Sequence, residues 1–249
     1  SGNEAYTNEQ DQIFNYFKTE GITDLIIDLR FNSGGSETAT TNLASLIGKN
    51  VNNTKIFSKR NYNSLLTTEI KRDPSLGEDF LRVMFKNKEQ NVGNLLRGSR
   101  VFILTGSRTA SASELLINGL RPFMDVFLIG RTTVGKNVGS ISLYEENDPA
   151  NKWGMQPIVL KFSNSLDQSD YSFGFAPQIQ DDDNSLYIFQ LGDPKEDLLN
   201  LALQQLTCQP IAGRTREFPE KRFGEEVGHS LDFKKRSNVL SSEIFRSIR

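Results

Sequence analysis

The sequence predicts an α/β fold with a mainly parallel sheet and flanking helices, and three observations lead to this expectation. Short apolar runs of the kind found in buried strands alternate with longer stretches of helical periodicity. The three clearest apolar runs each lead into a loop rich in glycine or small polar residues. The length of 249 residues is sufficient for one large domain.

Five stretches have the spacing of apolar residues expected of helices. In chain order they cover residues 7–20, 37–48, 78–85, 111–120 and 195–207. The first is amphipathic, with Ile13, Phe14 and Phe17 predicted on one face. Gly21 follows it in the position where glycine commonly ends a helix.

Three compact apolar runs predict buried strands, which are typical of a parallel sheet. They cover residues 25–29, 101–104 and 126–129. Residues 139–145 and 153–162 alternate in polarity, which favours antiparallel strands or a hairpin. The polar stretch 50–99 fits an insertion over a cleft. Residues 1–207 thus form the predicted globular domain, and residues 208–249 form a charged C-terminal extension.

Composition excludes several classes of function. A net charge of −2 gives no electrostatic reason to expect nucleic acid or an anionic membrane as a partner. No apolar run is long enough for a transmembrane helix. One cysteine, Cys208, and one histidine, His229, exclude an intrachain disulfide and a Cys- or His-rich metal centre. Residues 181–183 are all Asp but lack the spacing of a calcium loop, so they predict a solvated acidic turn. We expect neither a metal nor a cofactor.

Three loops that follow predicted strands carry the residues suited to catalysis. These are residues 32–35, 106–111 and 132–136. If the strands are parallel, all three loops lie at one carboxyl edge of the sheet, where open α/β sheets place their sites. A helix of roughly 17 Å from Ser111 and a returning strand of roughly 20 Å bring the chain back level with Ser111 shortly before Lys136. The sequence therefore predicts that Ser111 and Lys136 meet.

The two residues have the chemistry of a nucleophile and its base. A serine hydroxyl needs a base to take its proton. The one histidine of the chain lies in the charged C-terminal stretch, so we expect a base other than histidine. A lysine serves when burial lowers its pKa. Ser111 would thus be the nucleophile and Lys136 the general base. The amide of Ala112, at the start of a helix, and that of Gly34 or Gly35 would form an oxyanion hole.

Each of these residues also has a plain structural explanation, which stays open at this point. Ser111 and Glu114 fit a capping box at the start of the helix. The two glycines, Gly34 and Gly35, fit a tight turn, and Lys136 fits a solvated surface lysine. The joint arrangement in successive strand-end loops is what favours catalysis.

The motifs in these loops resemble those of the C-terminal processing peptidases, also called tail-specific proteases. The resemblance rests on residues 28–35 (DLRFNSGG), 109–114 (TASASE) and 133–136 (TVGK), and on the 25-residue spacing from serine to lysine. Residues 175–177 (FAP) resemble a late Pro-containing element of the family. The resemblance extends over residues 7–207.

This resemblance implies a crotonase-like catalytic core with a mainly parallel sheet, flanking helices and an additional β-hairpin region. It implies Ser111 as nucleophile, Lys136 as base, and Ala112 with Gly34 or Gly35 as oxyanion donors. The implied substrates are unstructured protein or peptide C-termini, and the implied location is the bacterial cell envelope or periplasm. Family members usually carry an upstream segment, often with a PDZ module, before the domain at 1–207. A homo-oligomer is compatible with the resemblance.

The sequence also departs from the family pattern. Pro122 stands where many members have an acid, and Gln178 stands where the family has Asp. Ser140 stands where many members have Gln, four residues after the lysine, and is the candidate for a third catalytic residue that orients Lys136. These departures keep open an inactive relative that binds peptides or ligands. Acyl-CoA chemistry is a further alternative and is least favoured, because these loops place no catalytic glutamate.

Overall fold

The computed structural model describes residues 4–145, 147, 150–183 and 189–208. The predicted extension, with His229, lies outside the described residues except for its first residue. That residue, Cys208, is exposed and ends the last helix in a left-handed conformation.

Within the described residues the chain forms five α-helices and ten strands. The helices are α1 Glu4–Thr19, α2 Glu37–Ile47, α3 Ser64–Arg72, α4 Ala112–Leu120 and α5 Asp197–Thr207. The strands are β1 Ile26–Asp28, β2 Ile56–Tyr62, β3 Arg82–Met84, β4 Arg100–Thr105, β5 Asp125–Gly130, β6 Val138–Ser140, β7 Leu143–Tyr144, β8 Gly154–Met155, β9 Ile158–Asn164 and β10 Ile179–Gln180. None of the helices in the described part of the chain is long and apolar enough to cross a membrane.

The predicted parallel sheet is confirmed. Its strand order is β1-β4-β5-β10, and every neighbouring pair is parallel. Successive side chains of β4 point to opposite faces: Val101 and Ile103 join the larger core, whereas Phe102 and Leu104 pack with Leu198 of α5. Because both faces of the sheet are covered, the two inner strands β4 and β5 are apolar in their central residues, as the sequence indicates.

A second, antiparallel sheet has the order β3-β2-β9-β6, and its strands β2 and β3 come from residues 50–99. The helix predicted at 78–85 is wrong: Glu78–Leu81 form a short 3₁₀ turn that leads into β3. Phe80 stacks on Tyr62 of β2 with ring centroids 6.1 Å apart, which holds this turn against the sheet. The antiparallel strands predicted at 139–145 and 153–162 are confirmed, and β7 and β8 form a separate antiparallel pair.

Helix α4 packs between the two sheets and contacts α2, β2, β5 and β9. All nine of its residues are buried, which explains its apolar sequence. Helix α1, in contrast, lies at the surface and is buried only at Phe14, with Phe17 partly buried beside it. The expectation that Ile13 shares this face is wrong, since that side chain is 51% exposed.

Arg30, just after β1, ties the parallel sheet to α5. Its guanidinium is 5% exposed and pairs with Asp28 at 2.7 Å, Asp183 at 3.0 Å and Glu196, the N-cap of α5, at 2.5 Å. The solvated acidic turn predicted at residues 181–183 is thus corrected for Asp183. That carboxylate is partly buried against Arg30, because a buried guanidinium requires compensating charge.

Candidate active site

The three strand-end loops come together at the carboxyl edge of the parallel sheet, as predicted. The carbonyl oxygen of Asn32, in the first loop, accepts the N–H of Ala110 at 3.3 Å in the second. The N–H of Val134, in the third loop, donates to the carbonyl oxygen of Thr109 at 3.0 Å. The second loop therefore lies between the other two and contacts both.

Ser111 caps the N-terminus of α4 in an unusual backbone conformation. Its φ is 58° and its ψ is −113°, and its side chain is 2% exposed. A serine in the left-handed half of φ/ψ space is strained, and such strain clusters at functional sites. A sharp strand-to-helix turn with a strained serine also occurs in the α/β-hydrolases, where it presents the nucleophile. The Ser111 backbone thus has the geometry of a nucleophile turn as well as of a cap.

Gly34 of the first loop lies directly against Ser111. A Cβ built on Gly34 would lie 2.7 Å from the Ser111 Cβ and 3.0 Å from the Ala112 nitrogen. Its φ of +108° also favours glycine. Only a residue without a side chain permits this approach, which brings the glycine loop beside the start of α4.

The fully buried carboxylate of Glu114 joins the serine loop to the lysine loop. Its Oε2 accepts the N–H of Ser111 at 2.9 Å and the N–H of Lys136 at 2.8 Å. Its Oε1 accepts the Thr133 hydroxyl and the N–H of Gly135, each at 2.6 Å. Because both of these main-chain N–H groups donate to the same oxygen atom, the main-chain nitrogens of Ser111 and Lys136 lie close to each other.

Lys136 lies partly buried beside this carboxylate. Burial lowers the pKa of its ammonium group, and the negative charge of Glu114 opposes that shift. Within the described part of the chain, its Nζ forms neither an ion pair nor a hydrogen bond to the Ser111 hydroxyl. The structure thus places the two residues on adjoining backbone segments without a direct side-chain bond between them.

The lysine loop is supported from behind by residues 169–175. The Phe175 N–H donates to the Thr133 hydroxyl at 2.8 Å, and the Thr133 N–H donates to the Phe175 carbonyl at 3.2 Å. The side-chain amide of Asn137 donates to the Ser169 carbonyl at 2.6 Å and to the Ser172 hydroxyl at 3.1 Å. The FAP element noted in the sequence therefore begins at the residue that buttresses the lysine loop.

The amides predicted for the oxyanion hole differ in their availability. The Gly34 N–H donates to Oδ1 of Asn32 at 2.9 Å, and the Ser113 hydroxyl donates to that same oxygen at 2.9 Å. Among the described residues, no acceptor is bonded to the N–H of Gly35 or of Ala112. Both of these residues line a cavity of 140 Å³ beside the start of α4. The main-chain N–H groups of Gly35 and Ala112 are thus the two that can donate hydrogen bonds to a ligand.

Ser140 lies on β6, partly buried, in register with Ile158 of β9. No hydrogen bond connects it to Lys136 in the region that the structure describes. Among the same residues there is no cluster of three His, Cys, Asp or Glu side chains arranged for a metal ion.

The sequence pattern did not show the wider role of Glu114, which fits a capping box. Its carboxylate accepts the N–H of Ser111, as the capping box predicts. The carboxylate also accepts hydrogen bonds from Thr133, Gly135 and Lys136, which lie about 20 residues farther along the chain. The signal in the sequence is that Glu114 is the only charged residue of α4, a helix with four Leu or Ile residues. A buried carboxylate needs several donors, so it had to face another loop.

Comparisons with known proteins identify the family and the fold. The model of peptidase family S41 matches residues 2–165 of this chain. Among solved structures, a Bacteroides fragilis protein assigned by name to the S41 proteases is 25% identical, with a TM-score of 0.69, over 84% of this chain and 51% of that one. The photosystem II D1 C-terminal processing protease is 19% identical, with a TM-score of 0.50, over 72% of this chain and 40% of that one.

The chain spans about half the length of these solved relatives. A search of the curated proteins finds no match. The structural similarity to the processing protease supports the fold, and the family match covers well over half of the sequence. This chain therefore belongs to peptidase family S41, the family of the C-terminal processing peptidases.

Proposed function

We propose that this protein is a serine endopeptidase that cleaves peptide bonds near the C-termini of protein substrates, with Ser111 as nucleophile and Lys136 as general base. The observation that carries the proposal is the shared bonding of Glu114 Oε2 to the main-chain N–H groups of both residues. That contact holds the two loops in fixed register, and the proposal requires the lysine side chain to extend from there to the serine hydroxyl.

The first half of the reaction forms an acyl-enzyme. Ser111 Oγ attacks the substrate carbonyl carbon while its proton passes to the neutral amine of Lys136. The carbonyl oxygen becomes an oxyanion, which accepts hydrogen bonds from the N–H groups of Gly35 and Ala112. The C–N bond then breaks, and Lys136 returns the proton to the leaving nitrogen. The products are an ester on Ser111 and a free amine.

The second half of the reaction restores the enzyme. A water molecule donates a proton to Lys136 as its oxygen attacks the ester carbonyl carbon. The ester C–O bond breaks, the carboxylic acid leaves, and the proton passes from Lys136 to Ser111 Oγ. The helix dipole of α4 favours the negative charge that develops at its N-terminus in both halves.

Family membership supports peptide bonds as the substrate class. The preference for unstructured C-termini and a place in the bacterial cell envelope or periplasm come from the resemblance to C-terminal processing peptidases. Ser140 is part of the proposal as a residue that orients the lysine amine.

Incubation of the full chain with an unfolded protein that carries a C-terminal fluorophore tests the proposal. We expect cleavage fragments by mass spectrometry from the native protein and none from Ser111→Ala. Ser107→Ala is the matched control, because Ser107 is an exposed serine of the same loop. Equal cleavage by Ser111→Ala and the native protein contradicts the assignment of the nucleophile. Peptide binding without cleavage by the native protein would favour the binding-module alternative.

A further inference from the structure

The side chain of Asn32 bridges the two loops that carry the amides proposed for the oxyanion hole. Its Oδ1 accepts the N–H of Gly34 at 2.9 Å, and Gly34 directly precedes Gly35. The same Oδ1 accepts the hydroxyl of Ser113 at 2.9 Å, and Ser113 directly follows Ala112. The carboxamide of Asn32 is therefore bonded to the chain neighbour of each proposed oxyanion donor.

The main chain of Asn32 is held in place on both sides of the side chain. Its carbonyl oxygen accepts the N–H of Ala110 at 3.3 Å and lies 3.0 Å from the Ser113 hydroxyl oxygen. Its N–H donates to the carbonyl oxygen of Leu29 at 3.0 Å. A polar group that is fixed before the substrate arrives needs no reorganisation during the reaction, which is the condition for electrostatic catalysis.

One end of the Asn32 carboxamide is occupied, and the other end has no partner in the part of the chain that the structure describes. Because the Gly34 N–H can only donate, the atom that faces it is the oxygen, and the other atom is the NH₂ group. Asn32 is exposed and lines the same cavity as Gly35 and Ala112. Three donor groups without an acceptor among the described residues therefore border this cavity, two from the main chain and one from a side chain.

We propose that the Asn32 Nδ2 group is a third donor of the oxyanion hole, which forms a hydrogen bond to the substrate carbonyl oxygen as that oxygen becomes negative. The inference rests on the proposed function, since the oxyanion forms when Ser111 attacks the carbonyl carbon. Carboxamide side chains are suitable oxyanion donors, and removal of one such donor lowers kcat by about 100- to 1,000-fold. Asn32 thus has two roles: Oδ1 holds the glycine loop, and Nδ2 stabilises the oxyanion.

Asn32→Asp separates these two roles. The carboxylate keeps oxygen atoms that can accept the Gly34 N–H and the Ser113 hydroxyl, but it has no N–H group to donate. We expect kcat to fall by about 100- to 1,000-fold and KM to stay nearly unchanged, because the lost bond forms only in the transition state. The urea unfolding midpoint should also stay nearly unchanged. A purely structural role predicts full activity, so a native kcat in Asn32→Asp would overturn the inference.

Asn32→Ala is a second variant, which removes both ends of the carboxamide. It should lose at least as much kcat as Asn32→Asp, and its urea unfolding midpoint should also fall because the Gly34 N–H loses its acceptor. A folded Asn32→Ala protein with native kcat would contradict the inference even if Asn32→Asp did not fold.

Asn52→Asp is the matched control. Asn52 is also exposed, and its Oδ1 also accepts a main-chain N–H from two residues farther along and a hydroxyl, both from Thr54, at 2.9 and 2.6 Å. Because Asn52 lies outside the three loops of the candidate site, kcat and KM should equal the native values.

Ser33→Asp measures the effect of charge alone, because it adds a carboxylate at the exposed position next to Asn32. One solvated charge near the site should lower kcat by about fivefold at most. A loss as large as that of Asn32→Asp would assign the effect to charge and overturn the inference.

A fluorophosphonate probe distinguishes failure of this inference from failure of the proposed function. Ser111 Oγ bonds to phosphorus, its proton passes to Lys136, and fluoride leaves, so labelling needs the nucleophile and the oxyanion hole but no peptide. If the native chain is labelled but cleaves no peptide, the peptidase function fails, and labelling of Asn32→Asp that is slower by about 100-fold still supports the role of Asn32. Peptide cleavage with the same kcat in both proteins supports the function and overturns the inference. If the native chain is neither labelled nor active on peptides, both fail.

Discussion

Glu114 is the residue whose environment most strongly links the two predicted catalytic side chains. A buried carboxylate is costly unless donors surround it, and Glu114 accepts hydrogen bonds from four groups. Three of these donors are main-chain N–H groups, which need an acceptor where they are buried. The proximity of the loops that carry Ser111 and Lys136 could be predicted from the spacing of the two residues. The four donors could not, because they depend on how two loops fold against each other.

Glu114→Gln should reduce activity strongly while the chain still folds. The carboxamide retains one acceptor oxygen, and its NH₂ group would face two donors that the carboxylate now satisfies. We expect kcat/KM to fall by about 100-fold, because small misplacements of reacting groups have that effect. The free energy of unfolding should fall by about 1–3 kcal/mol.

The matched control for this change is Glu69→Gln, an exposed carboxylate on α3 that pairs with Arg72. It should alter neither quantity measurably. Urea unfolding and steady-state kinetics provide the two readouts. Full activity of Glu114→Gln would show that the loops keep their register without the carboxylate.

The pH dependence of kcat/KM should report the ionisation of Lys136. Only the neutral amine acts as a base, so the rate rises with pH as Lys136 loses its proton. Since burial lowers the pKa of Lys136, the rise should occur below the ordinary lysine value of about 10.4. Glu114 raises the pKa of Lys136, so Glu114→Gln should move the rise to still lower pH.

Lys136→Met should abolish this rising limb, because it removes the amine but leaves the main-chain bond to Glu114. Lys161→Met, on the exposed side of β9, is the control and should preserve the profile. A profile with the same midpoint in Lys136→Met and the native chain would assign the titration to another group.

At the scale of elements, the loops at the sheet edge depend on one close approach. Gly34 contacts Ser111 and the Ala112 nitrogen so closely that a methyl group has no space. Gly34→Ala should therefore displace the glycine loop and reduce kcat/KM by about 100-fold or more. It should also cost about 1–2 kcal/mol of stability, because a non-glycine residue is strained at positive φ.

Gly21→Ala is the matched control for Gly34→Ala. Gly21 also has a positive φ, +65°, but no atom lies within 4 Å of the position that its Cβ would take. Gly21→Ala should lower the free energy of unfolding through backbone strain alone and leave kcat/KM unchanged. Equal activity loss in both variants would mean that strain in general, rather than contact with Ser111, reduces the rate.

The elements of the parallel sheet could be predicted because both of its faces are covered, so β4 and β5 are apolar runs. Strands β2 and β3 were not recognised for the opposite reason. Strand β2 carries Lys59 and Arg60, which pair with Asp167 and Glu37. Polar side chains that form ion pairs with residues distant in sequence do not produce the alternation of polar and apolar residues that predicts a strand. The sequence of residues 50–99 therefore predicts only an insertion.

At the scale of the whole molecule, α4 is held by both sheets, and the position of Ser111 depends on this packing. The sequence predicts this helix, but it does not indicate which strands cover it, since β2 ends 50 residues before α4 begins. Gly119 of α4 meets Phe57 of β2: a Cβ there would lie 2.2 Å from the ring. Phe57 also contacts Phe85, which contacts Phe123, so the ring has little freedom to move.

Gly119→Ala should for this reason lower the stability of the chain, although Ala is the better helix former by about 1 kcal/mol. Overpacking typically costs about 1–3 kcal/mol. Phe57→Leu in the same chain should recover part of the loss, with a coupling energy of about 0.5–3 kcal/mol in a double-mutant cycle of urea unfolding. Because Ser111 caps the N-terminus of α4, kcat/KM should fall in Gly119→Ala and recover with Phe57→Leu. Strict additivity of the two substitutions would contradict direct contact between α4 and the second sheet at this point.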